Sequence, residues 1–101
     1  MGDKLFLIDY DIPMDRRHSF YYSLRSEIIM FLLEKIEDTV IRYRKFRELK
    51  KMSLRQLLSE IEYTKSTQSV IITKNLKLAK IIHSIAIQYG TSNLYEVRKL
   101  A

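Results

Sequence analysis

Cysteine is absent from the 101 residues of this chain, which excludes disulfide staples, thiolate zinc sites and cysteine nucleophiles. A chain without cysteine suits a reducing cytosol, and the cytoplasm is the expected compartment. Glycine occurs twice and proline once. Neither glycine belongs to a phosphate-cradling loop or flanks a serine in a nucleophile elbow, so nucleotide-loop and serine-hydrolase chemistry are excluded. The two histidines, His18 and His83, lie far apart and lack zinc spacing. Long apolar runs are missing too. Leu5–Ile8 is broken by Asp9, so neither a signal peptide nor a membrane span is expected.

What is present is positive charge. Eighteen Lys and Arg against twelve Asp and Glu give a formal net charge of +6, a balance that favours anionic partners, DNA or RNA first. A chain of this length forms one domain, residues 1–101, with a single core.

Between Pro13 and Gly90 there is no glycine or proline, so the strongest helix breakers are missing from a long interior and helix should dominate it. Leu5–Ile8 reads as a buried strand. Pro13 ends its pairing for want of an N–H, and Asp15 is placed to cap a helix from about Arg16 to at least Ile36, with Phe20, Leu24, Ile28 and Phe31 as its apolar stripe. The next segment, "DTVIRYRKFRELKK", reads either as a strand, because Val40–Tyr43 is rich in β-formers, or as more helix. Ser53 opens another helix with Leu54, Leu57, Leu58 and Ile61 on one face. "TKSTQS" reads as a polar connector and "VIIT" as a short strand. "NLKLAKIIHSIAIQYG" reads as a helix with an Asn cap and a Gly stop, and "NLYEV" as a last strand. The sum is an α+β domain, one sheet covered by helices.

Two groups of residues carry candidate chemistry. Asp9 and Asp11 alternate on a strand and so share a face, where two carboxylates can hold a hard cation such as Mg²⁺ through oxygen. The plainer reading has one acid capping the helix and another pairing with Arg16 or Arg17. The second group is "RYRKFRELKK", in which Arg42, Arg44, Lys45, Arg47, Lys50 and Lys51 are interleaved with Tyr43 and Phe46. Cations for phosphates beside rings for stacking make a nucleic-acid contact, and Arg16 and Arg17 can extend it. The plainer reading is a solvated helix face with its rings turned inward. His83, in an apolar helix, reads as a packed or rim histidine, His18 as a surface residue, and "FYYS", Phe20–Ser23, as packing.

"YDIPMDRR", Tyr10–Arg17, resembles the strand-end signature of the Cas-two family of CRISPR adaptation proteins, and "QSVIIT", Gln68–Thr73, is similar to a later strand of that family. The order of the closing helix and strand is similar as well. The resemblance implies a ferredoxin-like βαββαβ domain that forms homodimers, scaffolds the insertion of new spacers and in some members has metal-dependent nuclease activity. It places Asp11 at the family's strand-end aspartate, the candidate catalytic residue. This chain adds a helical segment, about Asp38–Lys65, in the middle. Two rival readings are a DNA-binding regulator using "SLRQLLSEIEYTKSTQSV" as a helix-turn-helix, and a PIN-like or NYN-like nuclease suggested by "LFLIDYD" and built on a parallel sheet.

Overall fold

The computed structural model describes residues 4–61, 63–66 and 69–98. Strand β1 (Lys4–Asp11) leads through a single 3-10 turn, Met14–Arg16, into α1 (Arg17–Leu33). Helices α2 (Thr39–Lys50) and α3 (Leu54–Glu60) follow, then a hairpin of β2 (Tyr63–Ser66) and β3 (Val70–Thr73), helix α4 (Leu76–Tyr89) and strand β4 (Thr91–Arg98). The strands form one four-stranded sheet in the order β2-β3-β1-β4, and every neighbouring pair is antiparallel. The architecture is α+β.

Alternation along β1 separates the two faces of the sheet. Ile8 and Tyr10 are buried and Phe6 half-buried, while Asp9 and Asp11 are exposed. Register carries this across the sheet: Ile8 lies opposite Ile71 and Leu94, Phe6 opposite Thr73, and Asp9 opposite Val70 and Asn93. The buried face meets Phe20, Leu24 and Ile28 of α1 and Leu78, Ile82 and Ile85 of α4 in one core. Helix α1 touches α4 and also α2 and α3, which explains why Ile28 and Ile29, side by side in sequence, are both buried. The Phe20 ring packs on Tyr10 and Tyr21 at centroid distances of 5.2 and 5.3 Å, and Ser23 Oγ and Tyr89 OH, 2.8 Å apart, tie α1 to α4.

Two expectations about helix ends need correction, and one open choice is settled. Helix α1 stops at Leu33, short of Ile36, because the chain turns there and Ile36 N–H bonds back to the Leu33 carbonyl at 3.1 Å. Asp15 does not cap α1. It lies inside the 3-10 turn, and neither that turn nor α1 has a side-chain N-cap. The open segment resolves as helix: Asp38 Oδ1 accepts from Ile41 N–H at 3.0 Å and starts α2, and Leu49 and Phe46 pack inward.

The expected helix starts at Ser53 and Asn75 do form, each with a side-chain cap. Ser53 and Gln56 exchange hydrogen bonds of 3.2 and 2.7 Å at the start of α3, and Asn75 Oδ1 accepts from Leu78 N–H at 2.9 Å at the start of α4. The polar connector is the larger surprise, since much of it is strand β2, paired with β3. The helix-turn-helix is therefore not formed, as α3 is followed by a strand. The wholly antiparallel sheet likewise departs from the parallel order of the PIN-like reading. Among the described residues no helix is long and apolar enough to cross a membrane.

Candidate nucleic-acid interface and acidic strand end

Helix α2 lies on the outside of the molecule, packed on α1. Its cations fall into groups set by helical spacing. Arg42, Tyr43 and Phe46 line a groove of about 650 Å³ whose other walls are Glu27, Met30 and Phe31 of α1, Glu34 just past its end, and Ile81 of α4. Arg47 lies over the Tyr43 ring, 5.9 Å from its centroid, and Lys50 over the Phe46 ring at 5.3 Å, so each cation sits on a ring that lines the groove. Arg44 and Lys51, seven residues apart, share the solvent side, and Lys45 is half-buried. The plainer expectation of rings turned into the core holds for Phe46 alone. Tyr43 is 60% exposed.

Arg25 is a residue that sequence reasoning passed over. From the middle of α1 it reaches the end of α2, where Nε donates to the Met52 carbonyl at 3.1 Å and Nη2 to the Lys50 carbonyl. The last carbonyls of a helix carry partial negative charge and lack intrahelical partners, so a guanidinium there is favourable. It also adds a cation beside Lys50 and Lys51. No sequence signal marks it, because the two partners are 25 and 27 positions away.

Asp9 and Asp11 occupy the C-terminal end of β1 on the helix-free face of the sheet, paired in register with Asn93 and Thr91 of β4. The plainer expectation for these acids fails. Among the described residues neither pairs with Arg16 or Arg17, and the ion pairs are Lys4–Glu96 and Lys77–Glu34. Arg17 instead donates from Nε to the Ile12 carbonyl at 3.2 Å. It lines a pocket of about 200 Å³ with Tyr10, Asp11, Ile12, Tyr21 and Ser69. Arg16 is exposed. Burial pushes the Tyr10 hydroxyl up to about 12, and the neighbouring Tyr21 adds to the shift. Among the described residues no cluster of three or more His, Cys, Asp or Glu is placed to hold a metal.

The structure thus separates the predicted cations. Arg42 lines the aromatic groove and Arg47 and Lys50 lie over its two α2 rings, Arg44 and Lys51 are exposed along and just after the same helix, and Arg16 and Arg17 stand at the start of α1, where Arg17 shares a pocket with Asp11. His83 is half-buried with Nδ1 2.8 Å from Ser92 Oγ, the packed rim position expected for it, and His18 is exposed. In "FYYS" Phe20 is buried and Tyr21 half-buried, but Tyr22 is 71% exposed. Comparison with known proteins adds nothing further: no family model, no curated protein and no solved structure matches this chain.

Proposed function

We propose that this chain is a nucleic-acid-associated homodimeric scaffold on a ferredoxin-like frame, resembling the Cas-two family with two helices added between α1 and the hairpin. The frame reading rests on the order β2-β3-β1-β4 with antiparallel neighbours and on the sequence strand, helix, hairpin, helix, strand once α2 and α3 are set aside. The observation that carries the function is helix α2, a surface helix with Arg42, Arg44, Arg47, Lys50 and Lys51 exposed around an exposed tyrosine. Such a helix neutralises phosphates and releases their counterions. A cysteine-free chain of this kind is at home in the cytoplasm.

The dimer reading rests on the helix-free face and the β4 edge. Leu5, Leu7, Val70, Ile72, Tyr95 and Val97 lie on that face by register, and Tyr95 and Val97 are 51% and 41% exposed. An open apolar sheet face beside a free edge strand calls for a cover, and a second copy supplies both. The donors at the end of β1 fit a hard cation. Asp9 and Asp11 offer carboxylate oxygens, and Mg²⁺ is commonly held by one or two carboxylates with water and substrate phosphate as its other ligands. Bound there, the cation would supply charge stabilisation to a phosphodiester and activation of water.

Binding of labelled DNA and RNA, followed by anisotropy across a salt series, tests the central reading. Affinity is expected to fall steeply with salt, and Arg44→Gln with Lys51→Gln should reduce the slope of log K against log salt by about two units. Binding indifferent to salt and to both substitutions overturns it.

A further inference from the structure

We propose that the groove between α1 and α2 is a base pocket, which takes an unpaired base of a single strand while the flanking phosphates lie on Arg42, Arg47 and Lys50. This rests on the nucleic-acid reading above and narrows it from any polyanion to single-stranded DNA or RNA.

The walls of the groove differ in chemistry from side to side. Its apolar surface comes from Met30, Phe31, Phe46 and Ile81, and its volume of about 650 Å³ falls within the roughly 300–1,000 Å³ of small-molecule sites. Tyr43 stands at its edge with Arg47 stacked over the ring, an arrangement in which base, phenol and guanidinium can stack in series. The α2 wall is cationic, whereas the α1 wall carries the carboxylates of Glu27 and Glu34, the latter ion-paired with Lys77. A ligand fitted to this asymmetry has a flat aromatic body, amino donors at one edge and negative charge at the other. An adenine, cytosine or guanine nucleotide has all three. The carboxylates accept from exocyclic amines and repel phosphate, so they set the direction in which the unit enters. A duplex does not fit, because its base faces are already stacked and its amines already paired.

The inserted helix makes this site. Without α2 the α1 wall has no opposing ring and no cations, so the base pocket and the phosphate track arise from the same insertion.

The test compares a fluorescein-labelled single strand, an abasic strand of equal length, a duplex and a mononucleotide, using the intact chain and anisotropy at one salt concentration. The base-bearing strand is expected to bind roughly tenfold more tightly than the abasic one, the scale of one stacked base. Tyr43→Ala should erase that preference, and Tyr43→Phe should keep it. Tyr43 is exposed, so its truncation leaves the core intact, and circular dichroism checks this. Equal binding of abasic and base-bearing strands overturns the pocket while leaving the basic surface standing. Failure to bind any nucleic acid overturns both. A mononucleotide that binds as tightly as the strand overturns the single-strand assignment. If Tyr43→Ala instead dissociates a dimer in sedimentation, the groove belongs to a second copy and the proposal falls.

Discussion

Gly90 and Asp11 stand so close that a Cβ on Gly90 would fall inside van der Waals contact of the Asp11 carbonyl oxygen and 3.0 Å from the Ile12 Cα. Gly90 ends α4, its N–H bonded to the Ala86 carbonyl at 2.8 Å, and the next residue starts β4. The backbone at the end of α4 therefore presses on the strand end that carries the candidate acid. Its φ of −169° is open to any residue, so the requirement for glycine is space alone.

Gly90→Ala is accordingly expected to destabilise the fold by about 1–3 kcal/mol, the usual cost of forcing extra volume against backbone. Thermal unfolding should show a melting temperature lower by several degrees, roughly 4–8 °C per kcal/mol for a chain of this size. An unchanged melting temperature would show that the two segments part without strain.

Tyr10 gives an alkaline signature. The neutral phenol is favoured in the folded state, with its pKa near 12 against 10 in the unfolded chain. Between those values the folded state binds more protons, so stability is complete below pH 10 and falls as pH rises towards 12. The loss is on the order of 2 kcal/mol. Denaturant unfolding across that window checks it, and Tyr10→Phe should remove this component of the slope. A wild-type slope equal to that of the variant would assign the alkaline loss to other groups.

Arg25 is expected to matter more to α2 than to the core. Arg25→Gln removes the charge from two hydrogen bonds at the α2 terminus, and a cost of about 1 kcal/mol follows for a partly exposed site. Hydrogen exchange should quicken in the last turn of α2 before it does in α1 or β1. Uniform protection across all elements would show that Met52 and Lys50 are held without it.

Tyr95→Glu with Val97→Glu places two charges on the helix-free sheet face. Sedimentation is expected to report a dimer for the wild-type chain at micromolar concentration and a monomer for the double variant, with unchanged circular dichroism. A monomeric wild-type chain removes the scaffold reading in its dimeric form.

Asp11→Asn keeps size and removes the charge that would hold a cation. Cleavage of DNA or RNA that depends on Mg²⁺ or Mn²⁺ is expected to disappear in this variant, while salt-sensitive binding persists. Equal cleavage by variant and wild type would exclude Asp11, and absence of cleavage in both would leave the scaffold without catalysis.

Helix starts were legible wherever the cap is a local exchange within three residues, as for Ser53 with Gln56 and Asn75 with Leu78. The Val70–Thr73 strand and the Gly90 stop were equally plain, because β-branched runs and glycine act through their own backbone preferences. Asp15 failed as a cap for a reason invisible locally: the tight turn after Pro13 draws it into a 3-10 segment whose Arg16 N–H bonds to the Pro13 carbonyl at 2.9 Å.

Legible from the residues alone were the limits set by composition, the α+β class, the strand at Leu5–Ile8, the shared face of Asp9 and Asp11, and the basic character of Arg42–Lys51. The remainder depends on contacts between segments distant in the chain. Strand β2 is polar in sequence and exists because β3 supplies its hydrogen-bond partners. α2 is a helix rather than a strand because its Phe46 and Leu49 are taken up by the interior beside α1. The grouping of Arg42, Arg47 and Lys50 around a groove, apart from Arg16 and Arg17, depends on α1 and α2 lying side by side. Periodicity and capping act within a few residues, whereas a sheet edge, a helix terminus held by Arg25 and a groove between two helices are contacts across tens of residues.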